Sequence, residues 1–294
     1  MDAKFYSDSK SNFKNERQQV RAFLYTDYSI EPHNHDFYEM NIVVRGKGKH
    51  QIESACLDVK AGDVFIIPPM TVHAYFDTEE LDVYHILLQK SFIRDNQKES
   101  ANIPGFLHLI EIEPFLRQHV SHEKFLHLSH GQLIQLKSEL NFIEENGAFD
   151  TEDLIPLRNH TVWKILYWFS SLLYKQMYKS DEKNLHKYDI EIIKILEYIH
   201  QNYENKITID LLCKKSFLSR STFIRSFRNM CECMPMEYVN RYRCKKALEM
   251  IDNACFSKTE IAHRCGFYDL SHMERTLKNL YSLQSVTVTS KENV

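Results

Sequence analysis

Glycine and proline are scarce in this sequence, with seven of each among 294 residues. Phosphate-binding loops, dinucleotide-binding fingerprints and the nucleophile elbow of α/β-hydrolases need glycines grouped at fixed spacings, and no such grouping occurs. The seven cysteines are odd in number and form no CxxC pair. The sequence therefore argues against the common nucleotide-binding folds, this class of hydrolase and the small disulfide-rich scaffolds.

Long hydrophobic runs are lacking as well. The longest strongly apolar stretch, Ile165 to Tyr174, is interrupted by two serines and falls short of the ~20 residues that a membrane-spanning helix needs. The first ten residues, MDAKFYSDSK, carry charges where a secretory signal has its apolar segment. We therefore expect a cytoplasmic protein without a membrane partner.

The length and the charge distribution indicate two domains. At roughly 150 residues per domain, the chain suffices for two modules with separate cores. The net charge of −3 conceals an asymmetry: residues 1–182 carry 27 acidic against 19 basic side chains, and residues 183–294 carry 13 against 18. A basic C-terminal part joined to an acidic N-terminal part is typical of a polyanion-binding module with a separate partner domain.

Short apolar runs with period-two alternation occupy the region from Val20 to about Gln89, separated by turn signals at residues 46–48 and 61–63. These runs are rich in valine, isoleucine, tyrosine and phenylalanine, which is typical of the strands of an all-β barrel or sandwich. The clearest predicted strands are Tyr38 to Arg45, Asp63 to Ile67 and Asp82 to Gln89.

Helical spacing of apolar residues replaces this alternation after Pro114 and predicts helices over residues 131–145 and 153–178. The second helix is apolar over more than one face, so we expect it to pack both on the barrel and on another helix, as from a second copy of the chain. Residues 129–180 are interpreted as a dimerisation segment, and the polar residues 181–187 as a linker.

A duplicated pair of helix starts follows this linker. Thr208 and Ser257, 49 positions apart, each stand at a helix N-cap between apolar neighbours, and Glu260 completes a capping box. Two further N-caps, Ser219 and Asp269, repeat at a distance of 50. This repetition predicts two helix-turn-helix units, connected by a long helix between them.

The second helix of each predicted unit has one apolar face and one exposed, mostly basic face. Such a helix fits the major groove, where side chains near its start reach base edges and arginine or lysine farther along meets phosphates. The alternative to DNA binding is a helical interaction domain whose basic face is only solvated. The duplication of the helix starts argues against this alternative. The predicted DNA-facing residues are Arg220, Ser221, Ile224, Arg225 and Arg228, then Ser271, His272, Glu274, Arg275 and Lys278.

Three segments resemble the AraC-type family of bacterial transcription regulators: LSRSTFIRSFRN from Leu218, YVNRYRCKKALEMI from Tyr238 and FSKTEIAHRCGFYDLSHMERTLK from Phe256. The resemblance implies one DNA-binding domain that places two recognition helices in adjacent major grooves. Position by position, it assigns base contacts to Ser221, Ile224 and Arg225, and to Leu270, Ser271, His272, Glu274 and Arg275.

The chain departs from this family where its recognition helices usually end in glycine. Glu232 and Ser282 occupy those positions, and Cys213 replaces a small alanine in the first short helix. Glycine takes the left-handed cap conformation most easily. We therefore expect looser helix ends and less stringent DNA binding by the second copy.

The strand region contains His33 and His35 in an HxH pattern, then Glu39, Gly46 and, after a second glycine at position 62, His73. This spacing resembles the two motifs of cupin barrels. Period-two alternation places positions 33, 35 and 39 on one face, and if that face points inward they converge with the second-motif histidine. The resemblance thus implies a polar site inside the barrel.

Two positions depart from the cupin motifs, because Met70 stands where glycine is usual and Asp77 where asparagine is usual. Three interpretations of the site remain open: ligands for Zn, Fe or Mn (His33, His35, Glu39 and His73), a sugar or small-metabolite pocket, and satisfied polar groups of the barrel. The pocket is the favoured one. Its predicted ligand-binding residues are His33, His35, Tyr38, Glu39, Asn41 and His73.

The sequence thus predicts a multidomain α+β protein: a cupin-like ligand-sensing β-barrel (1–128), a helical dimerisation segment (129–180), a linker (181–187) and an all-α, AraC-type double helix-turn-helix domain (188–294). We expect a DNA-binding transcriptional regulator, not an enzyme and without a cofactor, that responds to a sugar or related metabolite. Its expected partners are promoter DNA, the effector, a second copy of the chain and, for an activator, RNA polymerase. The alternatives are a metal-dependent cupin enzyme and a regulator whose barrel only dimerises.

Overall fold

A computed structural model of the chain describes residues 3–14, 17–96, 100, 103–119, 126–145, 151–179, 189–252 and 256–281. The chain divides into two compact units, residues 1–184 and 185–294. Strands and helices build the first unit, and the described residues of the second are helical. The predicted fold class is therefore confirmed. The predicted linker, residues 181–187, lies outside the described residues.

The described part of the first unit contains an eight-stranded sheet in the order β1-β3-β7-β4-β6-β8, with β2 paired to β7 and β5 paired to β4. The pairs are antiparallel except β1 with β3. The strands are β1 (Phe5–Ser7), β2 (Val20–Tyr25), β3 (Ile30–His35), β4 (Tyr38–Ile52), β5 (Ala55–Lys60), β6 (Asp63–Ile67), β7 (His73–Leu88) and β8 (Leu126–His127).

The turn predicted at residues 46–48 is wrong, because β4 continues through it and its register with β7 shifts three times there. Gly46 has a φ of +76°, and a Cβ at this position would collide with the backbone of Glu80. The bulges change which residues of β4 face the interior, from odd-numbered before them to even-numbered after them. As a result, odd-numbered Glu39 and even-numbered His50 face the same interior. The strand predicted from Asp82 likewise begins earlier, at the start of β7.

Helices cover the other face of the sheet. Met40 and Ile42 of β4 pack in one buried cluster with Leu166 and Phe169 of the longest helix. This burial explains why that helix is apolar over a wide arc. The helices of the first unit are α1 (Ser9–Asn12), α2 (Lys90–Asp95), α3 (Glu113–His119, preceded by a π-helical turn, His108–Ile112), α4 (His130–Glu145) and α5 (Ile155–Lys179, preceded by a 3-10 turn, Glu152–Leu154).

The second unit has the predicted duplicated arrangement. Thr208, Ser219 and Ser257 cap helices as expected, the last in a capping box with Glu260, and the Asp269 carboxylate accepts a hydrogen bond from the amide of His272 at 2.7 Å. The helices are α6 (Asp189–Asn202), α7 (Ile209–Ser216), α8 (Arg220–Cys231), α9 (Pro235–Asp252), α10 (Lys258–Arg264) and α11 (Leu270–Tyr281). Among the described residues, no helix is both long and apolar enough to cross a lipid bilayer.

Glu232 ends α8 in the left-handed conformation, with a φ of 52°, whereas Ser282 lies outside the described residues. Glu232→Gly is expected to raise the free energy of unfolding of the second unit by about 0.5–1 kcal/mol, since glycine adopts this φ without steric cost. Circular dichroism at 222 nm measures the transition. Both tryptophans lie in the first unit, so their fluorescence should not change. Glu232→Ala is the matched control, and an equal gain from it would contradict the prediction.

Candidate effector site and nucleic-acid interface

The carboxylate of Glu39 lies at the centre of a polar cluster inside the sheet. Its Oε1 accepts a hydrogen bond from Nδ1 of His85 at 2.5 Å, and its Oε2 lies 3.1 Å from Nε2 of His35 and 3.3 Å from Nε2 of His73. All four side chains are at least nine-tenths buried. His33 packs against His73 with ring centroids 4.3 Å apart. The cluster therefore unites residues from β3, β4 and β7.

The backbone fixes which nitrogen two of these histidines present to the cluster. Nδ1–H of His33 donates to the carbonyl of Glu31 at 3.0 Å, and Nδ1–H of His35 donates to the carbonyl of Phe37 at 2.8 Å. A neutral ring that donates through Nδ1 carries a lone pair on Nε2. With a neutral His35 ring, Nε2 would face Oε2 of Glu39 lone pair to lone pair, so a proton on Nε2, a hydroxyl donor or a cation makes this contact attractive.

Burial sets the charge of the cluster. It lowers the pKa of His33 and lowers the pKa of His73 to about 4, because the charged imidazolium is poorly solvated there. Burial alone would raise the pKa of Glu39, but its contacts with His35, His73 and His85 outweigh that effect and hold its pKa well below the ordinary value. At neutral pH the site thus combines an ionised carboxylate with the neutral imidazoles of His33 and His73, which are electron-donating groups.

Further polar groups around this cluster have unused hydrogen-bonding capacity. Both ring nitrogens of His50 are buried without a hydrogen-bond partner among the described residues, and the buried amide of Asn41 and hydroxyl of Tyr75 have no partner there beyond the contact between them. Buried polar groups in native proteins are usually satisfied, and each exception needs an explanation. A bound polar ligand or ion would supply the missing partners.

The structure brings His33, His35, Glu39, Asn41 and His73 together, but it places Tyr38 elsewhere. Tyr38 points to the opposite face of the sheet, where it packs half-buried against the cluster that contacts α5. The prediction that Tyr38 lines the ligand site is therefore wrong. The reason is the same alternation that places Glu39 inside, because adjacent residues of a strand face opposite sides.

Sequence reasoning missed His50, Tyr75 and His85. His85 alternates with the apolar residues Val83 and Leu87 on one face of a predicted strand, and this pattern could have identified it as an inward-facing residue. His50 lies beyond the falsely predicted turn, so its orientation depended on the bulges. Its ring stacks on Tyr75 with centroids 3.9 Å apart.

Aromatic side chains connect this interior to the surface next to His85. Phe23 stacks on the His85 ring at 5.4 Å, and Tyr28 meets it edge to face at 4.7 Å. Tyr25 stacks on Tyr28 at 5.2 Å and is 49% exposed. The site thus has an apolar wall that reaches solvent on one side.

Three residues of the cluster have the composition of a metal site. One ligand atom each from His33, Glu39 and His73 lies within 4.8 Å of the others. Ligands of a tetrahedral Zn²⁺ lie roughly 3.4 Å apart, given bond lengths of about 2.0–2.1 Å, so small side-chain movements would suffice. The hydrogen bond from Nδ1 of His33 to a carbonyl resembles the outer-shell support that metal-binding histidines require. The residues present fit a divalent ion.

In α8 of the second unit, Phe223 and Phe227 are buried and anchor the helix. The opposite face exposes Arg220, Ser221, Arg225 and Arg228, with Ile224 half-buried beside them. Arg220 forms an ion pair with Asp210 at 2.6 Å. A shallow hollow lies along this face, lined by Ser221, Ile224, Arg225, Arg228, Asn229, Glu232 and Met234.

In α11, Met273 is buried, and the predicted residues divide into two groups. Ser271, Glu274, Arg275 and Lys278 are exposed. His272 is half-buried, with its ring edge to face with Phe267 at 5.4 Å. Leu270 is also half-buried and packs against the core around Cys244 and Ile261, so the base contact that the family resemblance implied for it is not supported by its placement.

These features define a class of protein. A sheet domain with a buried, partly unsatisfied polar site and a helical domain with two basic helix-turn-helix surfaces together describe a DNA-binding regulator with a ligand-binding domain. Comparison with known proteins identifies the family. A model described as the AraC-like ligand binding domain matches residues 21–154, and a model described as a helix-turn-helix domain matches residues 212–284. The chain belongs to the AraC-type family of ligand-responsive transcriptional regulators.

Individual relatives are distant. The HTH-type transcriptional activator RhaS of Escherichia coli O81 (strain ED1a) is 24% identical over 250 residues, which cover 85% of this chain and 84% of RhaS. Wild-type ToxT from Vibrio cholerae strain SCE256, solved with a bound unsaturated fatty acid, has a TM-score of 0.39 and 14% identity over 88% of this chain and 90% of its own. The DNA-binding domain of AdpA, solved with target DNA, has a TM-score of 0.30 and 20% identity, covering 30% of this chain and 80% of its own.

Proposed function

We propose that the chain is a dimeric, cytoplasmic regulator that binds promoter DNA through α8 and α11 and is switched by a small molecule bound around Glu39. The observation that supports the switch is the unused hydrogen-bonding capacity of the buried polar groups of Asn41, His50, His73 and Tyr75. A ligand that binds one arrangement of the first unit better than another shifts the population between the two. For an activator, RNA polymerase is the further partner.

Promoter recognition rests on the exposed basic faces. Arg225 lies in the middle of α8, and Arg275 has the matching place in α11, since their positions differ by the repeat distance of 50. Arginine pairs with two acceptors of guanine at once, whereas Arg228 and Lys278, one turn farther along, suit phosphates. Ser221, Ser271, His272 and Glu274 complete the base-facing set. A dimer doubles the length of DNA that is read.

The proposed effector is a sugar or a related polar metabolite. Hydroxyl groups can donate to Oε2 of Glu39 and to Nε2 of His35, which removes the unfavourable contact between their lone pairs. The other hydroxyls of a polyol suit the polar groups of Asn41 and Tyr75, and the wall of Phe23 and Tyr25 offers an apolar surface for a sugar ring. The half-buried residues of α5, Trp163 and Trp168 among them, are the proposed dimer contact.

A thermal-shift screen of sugars and sugar acids, read by tryptophan fluorescence of the full chain, tests the effector class. The matching ligand should raise the transition temperature of the first unit, by an amount that grows with ligand concentration. Tyr38→Phe, on the opposite face, should bind like the wild type. If no polyol or sugar shifts the transition, the sugar class is wrong.

A divalent transition metal is the second candidate, favoured by the close approach of His33, Glu39 and His73. Bound there, it would neutralise the converging lone pairs and tie β3 to β7. Metal analysis of the purified full chain should then find one ion per chain, and His33→Ala should remove it. Protein that is metal-free after growth and dialysis with added zinc, manganese or iron would exclude this candidate and leave the organic effector.

A further inference from the structure

Two aromatic side chains of the second unit are almost fully exposed. Phe217 is 95% and Tyr268 is 85% exposed. The other exposed large apolar side chains in the described part of the chain reach only 39% to 56%. Folding leaves the apolar rings of both residues in water, and two such rings in the corresponding turns of a duplicated unit call for a contact outside the chain.

The two aromatic residues lie in corresponding turns of the duplicated units, one position apart in the alignment of the repeats. Phe217 is in the turn between α7 and α8, two residues before the N-cap Ser219. Tyr268 is in the turn between α10 and α11, directly before the N-cap Asp269. In a helix-turn-helix unit, the start of the second helix is the part that approaches base edges. Both rings therefore lie where the duplex would enter each unit.

Phe217 also occupies a backbone conformation that disfavours it. Its φ is 56°, in the left-handed region, and the matching residue of the other unit, 49 positions on, is Gly266 with a φ of 76°. A bulky residue is uncommon at such a φ, which glycine or asparagine adopts more easily. Neither the backbone nor the core gains from a phenylalanine here. A strained residue of this kind points to function when an external partner explains it.

The surroundings indicate what kind of partner this is. The last turn of α7 carries Lys214 and Lys215 before Phe217, and the last turn of α10 carries His263 and Arg264 before Tyr268. Lys215 lies over the ring of Tyr198 at 4.1 Å and Arg264 over the ring of Phe256 at 4.0 Å, whereas Lys214 and His263 are exposed. An apolar ring next to basic side chains suits a surface that presents phosphates beside an apolar group. Duplex DNA has this pattern in the major groove, where the C5-methyl group of thymine is the apolar contact.

We propose that Phe217 and Tyr268 are specificity-determining DNA contacts, one in each helix-turn-helix unit, which pack on thymine methyl groups beside the bases read by α8 and α11. This inference rests on the proposed promoter binding and extends it to residues outside the recognition helices. It assigns each unit a preference for thymine at one position next to its arginine-read base.

Phe217→Asn tests the proposal on the full chain with a DNA fragment selected by the wild-type protein. The melting temperature should stay equal or rise, because asparagine tolerates the left-handed conformation, while the affinity should fall about tenfold. Replacing thymines one at a time by deoxyuridine removes only the methyl group. The wild type should lose affinity at two positions, one for each unit, and at the position of the first unit Phe217→Asn should show no further loss when thymine is replaced. Tyr268→Ala should behave alike at a second position, with Tyr268→Phe like the wild type.

Leu24→Ala, which truncates a half-exposed apolar side chain of the first unit, is the matched control and should leave the affinity unchanged. Wild-type affinity of Phe217→Asn on every fragment overturns the proposal, as does a loss that is equal on thymine and deoxyuridine fragments. So does intact DNA binding with lost transcription, which would assign the ring to a protein partner. Arg225→Ala distinguishes the proposed promoter binding from the proposed aromatic contacts. If Arg225→Ala abolishes site-selective binding while Phe217→Asn does not, promoter binding stands and the proposal for the aromatic contacts is wrong.

Discussion

Glu39→Ala is expected to lower the free energy of unfolding of the first unit by on the order of 3 kcal/mol. The carboxylate is the shared partner of His35, His73 and His85, and no water-exposed group can replace it inside the sheet. Its removal leaves buried nitrogens unsatisfied and opens a cavity between β3, β4 and β7. Equilibrium urea unfolding followed by tryptophan fluorescence measures the loss, because both tryptophans lie in this unit.

Glu39→Gln separates folding from ligand binding at the same position. The amide oxygen can still accept from Nδ1 of His85, and the amide N–H can donate to Nε2 of His35, which carries a lone pair. We therefore expect this variant to keep most of the stability in the presence of a chelator. It should nevertheless lose the response to the effector, since the negative charge is gone. If Glu39→Gln is as unstable as Glu39→Ala, the carboxylate has a purely structural role and the proposed site is wrong.

The helical unit could be predicted in detail because its signals are local. Each N-cap side chain accepts hydrogen bonds from backbone amides only a few residues away, so Thr208 and Ser257 predict the starts of their helices without any knowledge of the tertiary fold. Even the departures from family patterns were informative. Met70, Asp77 and Glu232 stand where glycine or asparagine is usual, and all three have a positive φ in the structure.

The sheet was harder to predict because its register is set between distant strands. The bulges of β4 follow from its pairing with β7, in which Gly46 passes close to Glu80, and no local pattern reports this approach. The interior position of His50 depends on those bulges and could not be derived without them. The exposure of Phe217 is equally hidden from the sequence, since an apolar residue in a turn normally indicates core packing.

Arg225→Ala is expected to weaken binding to the selected promoter by ~1–3 kcal/mol and to relax its sequence preference at one base pair. The guanidinium is exposed on α8, which is held in place by buried Phe223 and Phe227 on the other side, so truncation removes a contact without disturbing the core. Binding to non-specific DNA should change little beyond the loss of one charge. Competition binding with the selected fragment and single-base variants measures both effects.

Lys278→Ala is the matched comparison, because it also removes one exposed cation from a recognition helix. A lysine that meets phosphate carries no sequence information, so its loss should lower the affinity for all fragments alike and reduce the slope of log affinity against log salt by about one. Arg225→Ala should leave this slope nearly unchanged, while it lowers the affinity for the selected fragment relative to other fragments. If both variants lowered all affinities in parallel, α8 would anchor the duplex electrostatically, and its proposed reading of base edges would be wrong. If neither variant altered binding, the basic faces of α8 and α11 would not be the DNA-binding surface.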